Sequence, residues 1–263
     1  GLKAKFNGDI QSIFVGKDLR NVNLDDINLD GQDLTGANLS GHDLRDIDLT
    51  NTIIRDANLS NTNLEGKDLS RMDLRGIDFT GANLRNVDFT GANFSKTIQV
   101  IGDCDDENPV ISVIKNFKCM SKVIKNEEIR TDFTGANLTG ANFGDQILKF
   151  VDFTGANLTG ANLHIVGFYG VDFTNANLNG ISGSEIYITE SNFTNSEMNN
   201  FEISEAWIQS TLFYNANMKN GSFDSIAFVD VDFSETDFQE TQFSLFNEIG
   251  DNNYGCKNNS ICK

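Results

Sequence analysis

Several things are scarce in this sequence of 263 residues: one Pro, one Trp, four Tyr, two His and four Cys. Basic residues are few as well, 20 against 38 acidic ones, for a formal charge of -18. Each scarcity excludes something. No run of 18 uncharged apolar residues occurs, so no helix is expected to span a membrane. The acidic balance argues against direct nucleic-acid binding, which needs Lys and Arg to neutralise phosphates. A single Pro with 39% apolar residues argues against a disordered tail protein. His42 and His164 lie far apart and no Cys pair has the C-x2-C spacing of a zinc site, so no metal is expected. No G-x-S-x-G elbow, Gly-rich phosphate loop or His-Asp constellation stands out, so neither an enzyme nor a cofactor site is expected. The chain starts at Gly1 with no Met and no apolar leader, which reads as a processed or trimmed product with its targeting signal out of view.

What is abundant is a repeat. DFTGAN occurs at Asp78, Asp88, Asp132 and Asp152, and DFTGANLTGAN recurs in full at the last two. From Phe14 to Phe94 every fifth residue is Phe, Leu or Ile, and from Phe133 to Phe243 only Gly183 departs from Phe, Leu, Ile or Met. Two residues before each of these central positions sits a second, usually small residue, with Asp or Asn between, as in Ala37-Asn38-Leu39. In an extended chain, residues two apart point to one side and the residue between points away. Each unit therefore reads as a very short strand with two side chains in and one Asp or Asn out. The remaining two residues, often Thr-Gly or Ser-Gly, must turn a corner, where Asp and Asn can satisfy free N–H groups. Stepping by 20 collects Phe133, Phe153, Phe173, Phe193, Phe213 and Phe233 in one column, so four units make a coil. About ten coils at roughly 4.8 Å each predict a rod on the order of 50 Å long.

Ala37-Asn38-Leu39-Ser40-Gly41 and Ala156-Asn157-Leu158-Thr159-Gly160 resemble the A-(D/N)-L-x-x motif of pentapeptide repeat proteins. Val171-Asp172-Phe173-Thr174-Asn175 shows it with Val and Phe in the two inward places. The resemblance implies an all-β solenoid, a right-handed four-sided β-helix with the central residue inward. The domain reading is a lead-in over 1–11, repeat block one over 12–96, an insertion over 97–131, block two over 132–243 and a C-terminal cap or tail over 244–263.

In the insertion, Asn108 and Pro109 read as N-cap and first helical residue. Val113, Ile114, Phe117, Met120 and Ile124 recur at helical spacing, with Lys115, Lys118, Lys122 and Lys125 on the other side. This predicts an amphipathic helix over about 109–125, roughly 24 Å long. The preceding acidic run, Asp103 to Asn108, lacks the Gly and terminal Glu of a calcium loop and reads as a helix-dipole complement. Three placements for the helix stay open: docked on the rod, against an anionic membrane surface, or on a partner. Ile147, Tyr169, Tyr187, Trp207 and Val229 form an outward apolar stripe on which it is expected to dock. His42 and Lys67, with Lys17 and Gln32, occupy the usually small inward place. The amine of Lys67 is expected either to escape at a corner or to meet a backbone carbonyl.

Cys104, Cys119, Cys256 and Cys262 all lie outside the repeat. Pairing as Cys104–Cys119 and Cys256–Cys262 would staple both irregular segments, a closed loop of about 15 residues such as the first gaining roughly 3 kcal/mol. Family members of the cyanobacterial periplasm and thylakoid lumen resemble this arrangement. That implies an oxidising compartment (periplasm, thylakoid lumen or secreted), with a cytoplasmic location as the alternative. Residues 132–243 carry 15 acids against Lys149 and Lys219 alone. Several of the acids stand at corners, where the motif does not ask for them: Asp145, Glu185, Glu190, Glu205, Asp230, Glu235 and Glu240. They mark a candidate partner surface. Family members that bind DNA gyrase as duplex mimics resemble the chain in rod shape and charge, but it has no evident dimerisation helix after Phe243. The expectation is a monomer or weak dimer that presents rigid faces to a protein partner. DNA mimicry and a membrane-surface role for the Lys helix are the alternatives.

Overall fold

A computed structural model describes residues 14–25, 27–94 and 131–245, together with the backbone of 253–254; these residues belong to one compact unit. The expected lead-in, the Lys helix and all four cysteines lie outside the described residues. Backbone pairing has a single rule. Away from the seam between the blocks, bridged outward residues pair in parallel with the residue 20 positions on, as in Asn38↔Asn58, Asn58↔Asp78 and Asp132↔Asp152. Amides follow the same step, the N–H of Leu39 donating to Asn58 O at 2.9 Å and that of Phe133 to Asp152 O at 2.7 Å. The chain is thus an all-β solenoid.

Most units turn on one left-handed residue. Gly36, Gly81, Gly135 and Gly155 have φ of 64–66°, and Asn51, Asn61, Asn175 and Asn195 have φ of 55–59°. This conformation costs glycine nothing and asparagine little, which is why Thr-Gly and Thr-Asn recur there. The outward Asp or Asn completes the corner. Its Oδ1 accepts the N–H two residues on, as between Asp78 and Thr80 or Asp152 and Thr154, both 2.9 Å.

The interior is apolar and closed. Leu34, Leu44, Leu64, Phe79, Phe133 and Phe153 are fully buried, each side chain contributing about 1.5–3 kcal/mol. The column of rings begins in block one. Phe79 stacks on Phe133 at 5.1 Å, and the series continues through Phe153, Phe173, Phe193, Phe213 and Phe233 at 4.6–5.1 Å. The bridges Asp78↔Asp132, Asn83↔Asn137 and Asp88↔Asn142 carry the register across the insertion without a slip. Buried Thr131 seals the seam, its hydroxyl shared between Leu74 O (3.1 Å) and Phe94 O (3.2 Å).

Several inward polar groups cap carbonyls of the coil below. Thr52 donates to Leu29 O at 2.9 Å, Thr236 to Phe213 O at 2.6 Å, and His42 Nε2 meets Leu19 O at 2.8 Å, each across 23 positions. Lys67 Nζ donates to Ile47 O at 2.6 Å, so of its two expected fates the carbonyl is realised. Lys17, read as inward, is exposed. The gap at Gly183 has a steric reason, since a Cβ there would lie 2.7 Å from Leu163 O and 2.8 Å from Ile186 Cδ1.

Among the described residues, pairing lengthens into strands from Gln146 onward. β1 (Gln146–Lys149), β2 (Val166–Tyr169), β4 (Tyr187–Thr189), β6 (Trp207–Gln209) and β7 (Ser222–Val229) form one parallel ladder. β3 (Ser182–Ser184), β5 (Glu202–Ser204), β7 and β8 (Gln242–Leu245) form the adjacent one. Backbone pairing continues beyond Phe243, into the segment read from sequence as a tail. β9 (Asn253–Tyr254) adds a last rung to the first ladder through Phe228↔Asn253 and Val229↔Tyr254.

Candidate functional site

The longest ladder carries the outward apolar residues. Its register separates the stripe expected from sequence into two neighbouring rows. One row reads Ile147, Gly167, Tyr187, Trp207, Ala227; the other reads Lys149, Tyr169, Thr189, Gln209, Val229. Tyr187 and Trp207 are therefore direct rungs, while Tyr169 and Val229 belong beside them rather than between them. Exposure differs sharply along the rows. Ile147 is half exposed (50%), Tyr187 and Trp207 are half-buried, and Tyr169 is buried (3%). Trp207 Nε1 donates to Gln209 Oε1 at 3.4 Å. The ring of Phe150 meets that of Tyr169 edge-on at 5.3 Å.

Acids border this face at both corners. Glu185 and Glu205 precede β4 and β6, and Glu190 and Asp230 follow β4 and β7. Their fields are felt by the phenols. Burial, then the charge of Glu190 and a hydrogen bond to it, pushes the Tyr169 hydroxyl up to about 12. Burial and the charge of Glu185 raise that of Tyr187. Burial lowers Lys149.

The corner acids share a feature the sequence alone did not display. Asp145, Glu185, Glu190, Glu205, Asp230, Glu235 and Glu240 all occupy the left-handed position, with φ between 50° and 61°. Glu pays a penalty there of about 1–2 kcal/mol that Gly avoids. In block one the same position is held mostly by Gly and Asn. Block one instead neutralises its acids locally. Arg45 grips Asp43 with Nε at 3.0 Å and Nη2 at 2.6 Å, and Arg20 and Arg75 hold Asp18 and Asp73 in the same way. In block two the described ion pair is Lys219–Asp237 at 3.0 Å.

A second outward departure was missed. Along one face the outward residue reads Asp78, Asp132, Asp152, Asp172, Asn192, Leu212, Asp232, and the residue two on reads Thr80, Thr134, Thr154, Thr174, Thr194, Tyr214, Ser234. Leu212 and Tyr214 are exposed at 46% and 48%. Laying the columns out at a step of 20 would have revealed them. The basic face of Lys115, Lys118, Lys122 and Lys125 falls outside the described residues, and so does its expected docking. Among the described residues no cluster of His, Cys, Asp and Glu fits a metal ion, and no helix is long and apolar enough to cross a membrane.

The family described as pentapeptide repeats matches in eight copies, over residues 12–51, 52–91, 68–98, 129–164 and 168–201. No curated protein matches the sequence. Among solved structures, HetL, a pentapeptide repeat protein involved in heterocyst differentiation regulation from the cyanobacterium Nostoc, is 17% identical. The match covers 81% of each chain with a TM-score of 0.34. Full-length QnrB1, a plasmid-mediated fluoroquinolone resistance protein, is 16% identical over 79% of this chain and 86% of its own, with a TM-score of 0.36. A pentapeptide repeat protein of the Arabidopsis thaliana thylakoid lumen is 27% identical over 38% of this chain and 63% of its own, with a TM-score of 0.20.

Proposed function

The chain belongs to the pentapeptide repeat family, and on that premise we propose that it is a binding scaffold whose second block presents a rigid acidic and aromatic surface to a protein partner. One observation carries the reading: Glu185, Glu190, Glu205, Glu235 and Glu240 stand in left-handed corners with φ of 50–61°. Solubility alone would be served by Glu at any outward position, without the backbone penalty. Acids held there against local preference argue for a demand from outside the fold. The interior is filled by Phe and Leu, so the activity belongs to the surface.

The test is site-specific photo-crosslinking in extract of the source organism. Benzoylphenylalanine at Tyr187 or Trp207 is expected to capture a discrete protein, whereas the same group at Asn58 or Asp68 in block one captures none. Absence of an adduct at every position would overturn the scaffold reading.

A second reading, that the surface imitates duplex phosphate for a DNA gyrase, is favoured by the 15 acids against two bases in residues 132–243. Inhibition of gyrase supercoiling by the protein at equimolar concentration would support it. The proposed setting is an oxidising compartment, a reading that rests on the four cysteines outside the repeat. Intact mass with and without reductant tests it: native protein already carrying four free thiols would place it in a reducing one.

A further inference from the structure

We infer that Leu212 and Tyr214 form the anchor of a docking site for a basic peptide segment that also carries an apolar side chain. The inference rests on the scaffold reading and names the partner's chemistry.

These two residues weaken the fold at their own position. In the flanking coils the outward Asn192 and Asp232 accept the N–H of Thr194 and Ser234 at 3.1 and 2.9 Å. Leucine has no side-chain oxygen with which to do this for Tyr214. Neither residue gains core burial in exchange, since each remains nearly half exposed. A change that gives up a corner hydrogen bond and leaves a leucine and a phenol in water has no benefit within the chain. Trp207 stands on the same coil, one corner before Leu212.

The surroundings fix the sign of the occupant. Glu190 and Asp230 stand in the corner column beside Leu212, one coil below and one above, and Glu235 stands one coil above Asn215, the next corner beyond Tyr214. An apolar anchor inside an acidic rim matches a segment in which Arg or Lys alternates with Leu or an aromatic residue. A guanidinium stacks on the phenol of Tyr214 and meets the rim charges, while the apolar side chain covers Leu212. Rim charges supply orientation and on-rate; the apolar pair supplies most of the affinity.

The test uses the whole protein and a blocked octapeptide of alternating Leu and Arg, followed by the fluorescence of Trp207, the chain's single tryptophan. The critical variant is Leu212→Asn with Tyr214→Thr, which copies the Asn192–Thr194 pair, keeps the net charge and restores the repeat. Wild type is expected to bind the peptide with an affinity that falls with salt, and the double variant to bind at least tenfold more weakly. An alternating Leu-Gln peptide is expected not to bind. Equal binding by wild type and variant, or by the Leu-Gln peptide, overturns the inference. Self-association of wild type that the variant abolishes in sedimentation also overturns it, in favour of a second copy as occupant. If the variant still yields the adducts formed at Tyr187 and Trp207, the anchor fails while the scaffold reading stands.

Discussion

The ring of Phe201 fills the place that a Cβ on Gly221 would need, one coil above it. Both occupy the small inward position, where Ala141 and Ala161 stand lower in the same column. A phenyl in one coil has been accommodated by removing the side chain of the next.

The pair therefore behaves as a unit. Gly221→Ala alone is expected to destabilise by about 1–3 kcal/mol through overpacking. Phe201→Ala alone opens a cavity costing about 3–5 kcal/mol. The double variant, which recreates an Ala-on-Ala contact, is expected to fall short of the sum by at least about 1 kcal/mol. Urea unfolding of the four proteins measures the coupling, and strict additivity would contradict the packing.

Relief of corner strain has the opposite sign. Each of Glu185→Asn, Glu205→Asn, Glu235→Asn and Glu240→Asn is expected to stabilise the fold by about 0.5–1 kcal/mol, because asparagine tolerates the left-handed region better. The variant carrying all four exchanges should melt higher than wild type yet lose the adducts formed at Tyr187 and Trp207. A lower melting point would show that these acids stabilise the fold instead.

At high pH the buried phenol sets a limit. Tyr169 ionises near 12 in the folded chain against an ordinary value of 10.0. A raised value means that its contribution to stability is complete below pH 10 and is lost as the pH climbs towards 12. Spectrophotometric titration should show a late-ionising tyrosine absent from Tyr169→Phe, and Glu190→Gln should bring that step down.

At low pH the Arg forks are the reporters. Hydrogen bonds from Arg20 and Arg45 hold Asp18 and Asp43 at about 2, below the ordinary 3.8. A lowered carboxylate stabilises fully above the ordinary value and loses that contribution as the pH falls towards 2. Carboxyl carbon shifts in NMR should give these two midpoints, and Arg45→Gln should return Asp43 towards 3.8 without moving Asp18.

The architecture was legible because the large central side chain of each five-residue unit is confined to a closed interior, and confinement leaves a visible period. That explains why the Phe column and the outward Asn and Asp could be read directly. Two things stayed hidden. The stripe through Tyr169, Tyr187 and Trp207 was drawn as a single line, because a step of about 20 does not separate residues 187 and 189 until register is known. The strain at Glu185 and Glu205 was invisible because sequence marks a corner but not which of its residues takes positive φ. Leu212 and Tyr214 escaped for a plainer reason: they sit at outward positions, where the period places no demand and departures draw no notice.

Rungs Asp78↔Asp132 and Asp88↔Asn142 join residues 54 positions apart, where those below and above join residues 20 apart. The register of the stack is thus the same on both sides of the seam. In evolutionary terms this makes the seam a grafting point. A lineage can exchange what is spliced between Phe94 and Thr131 for a segment of other length and chemistry while every Phe keeps its neighbours. Changes of length at that place leave the pairing register intact, so relatives should differ there first.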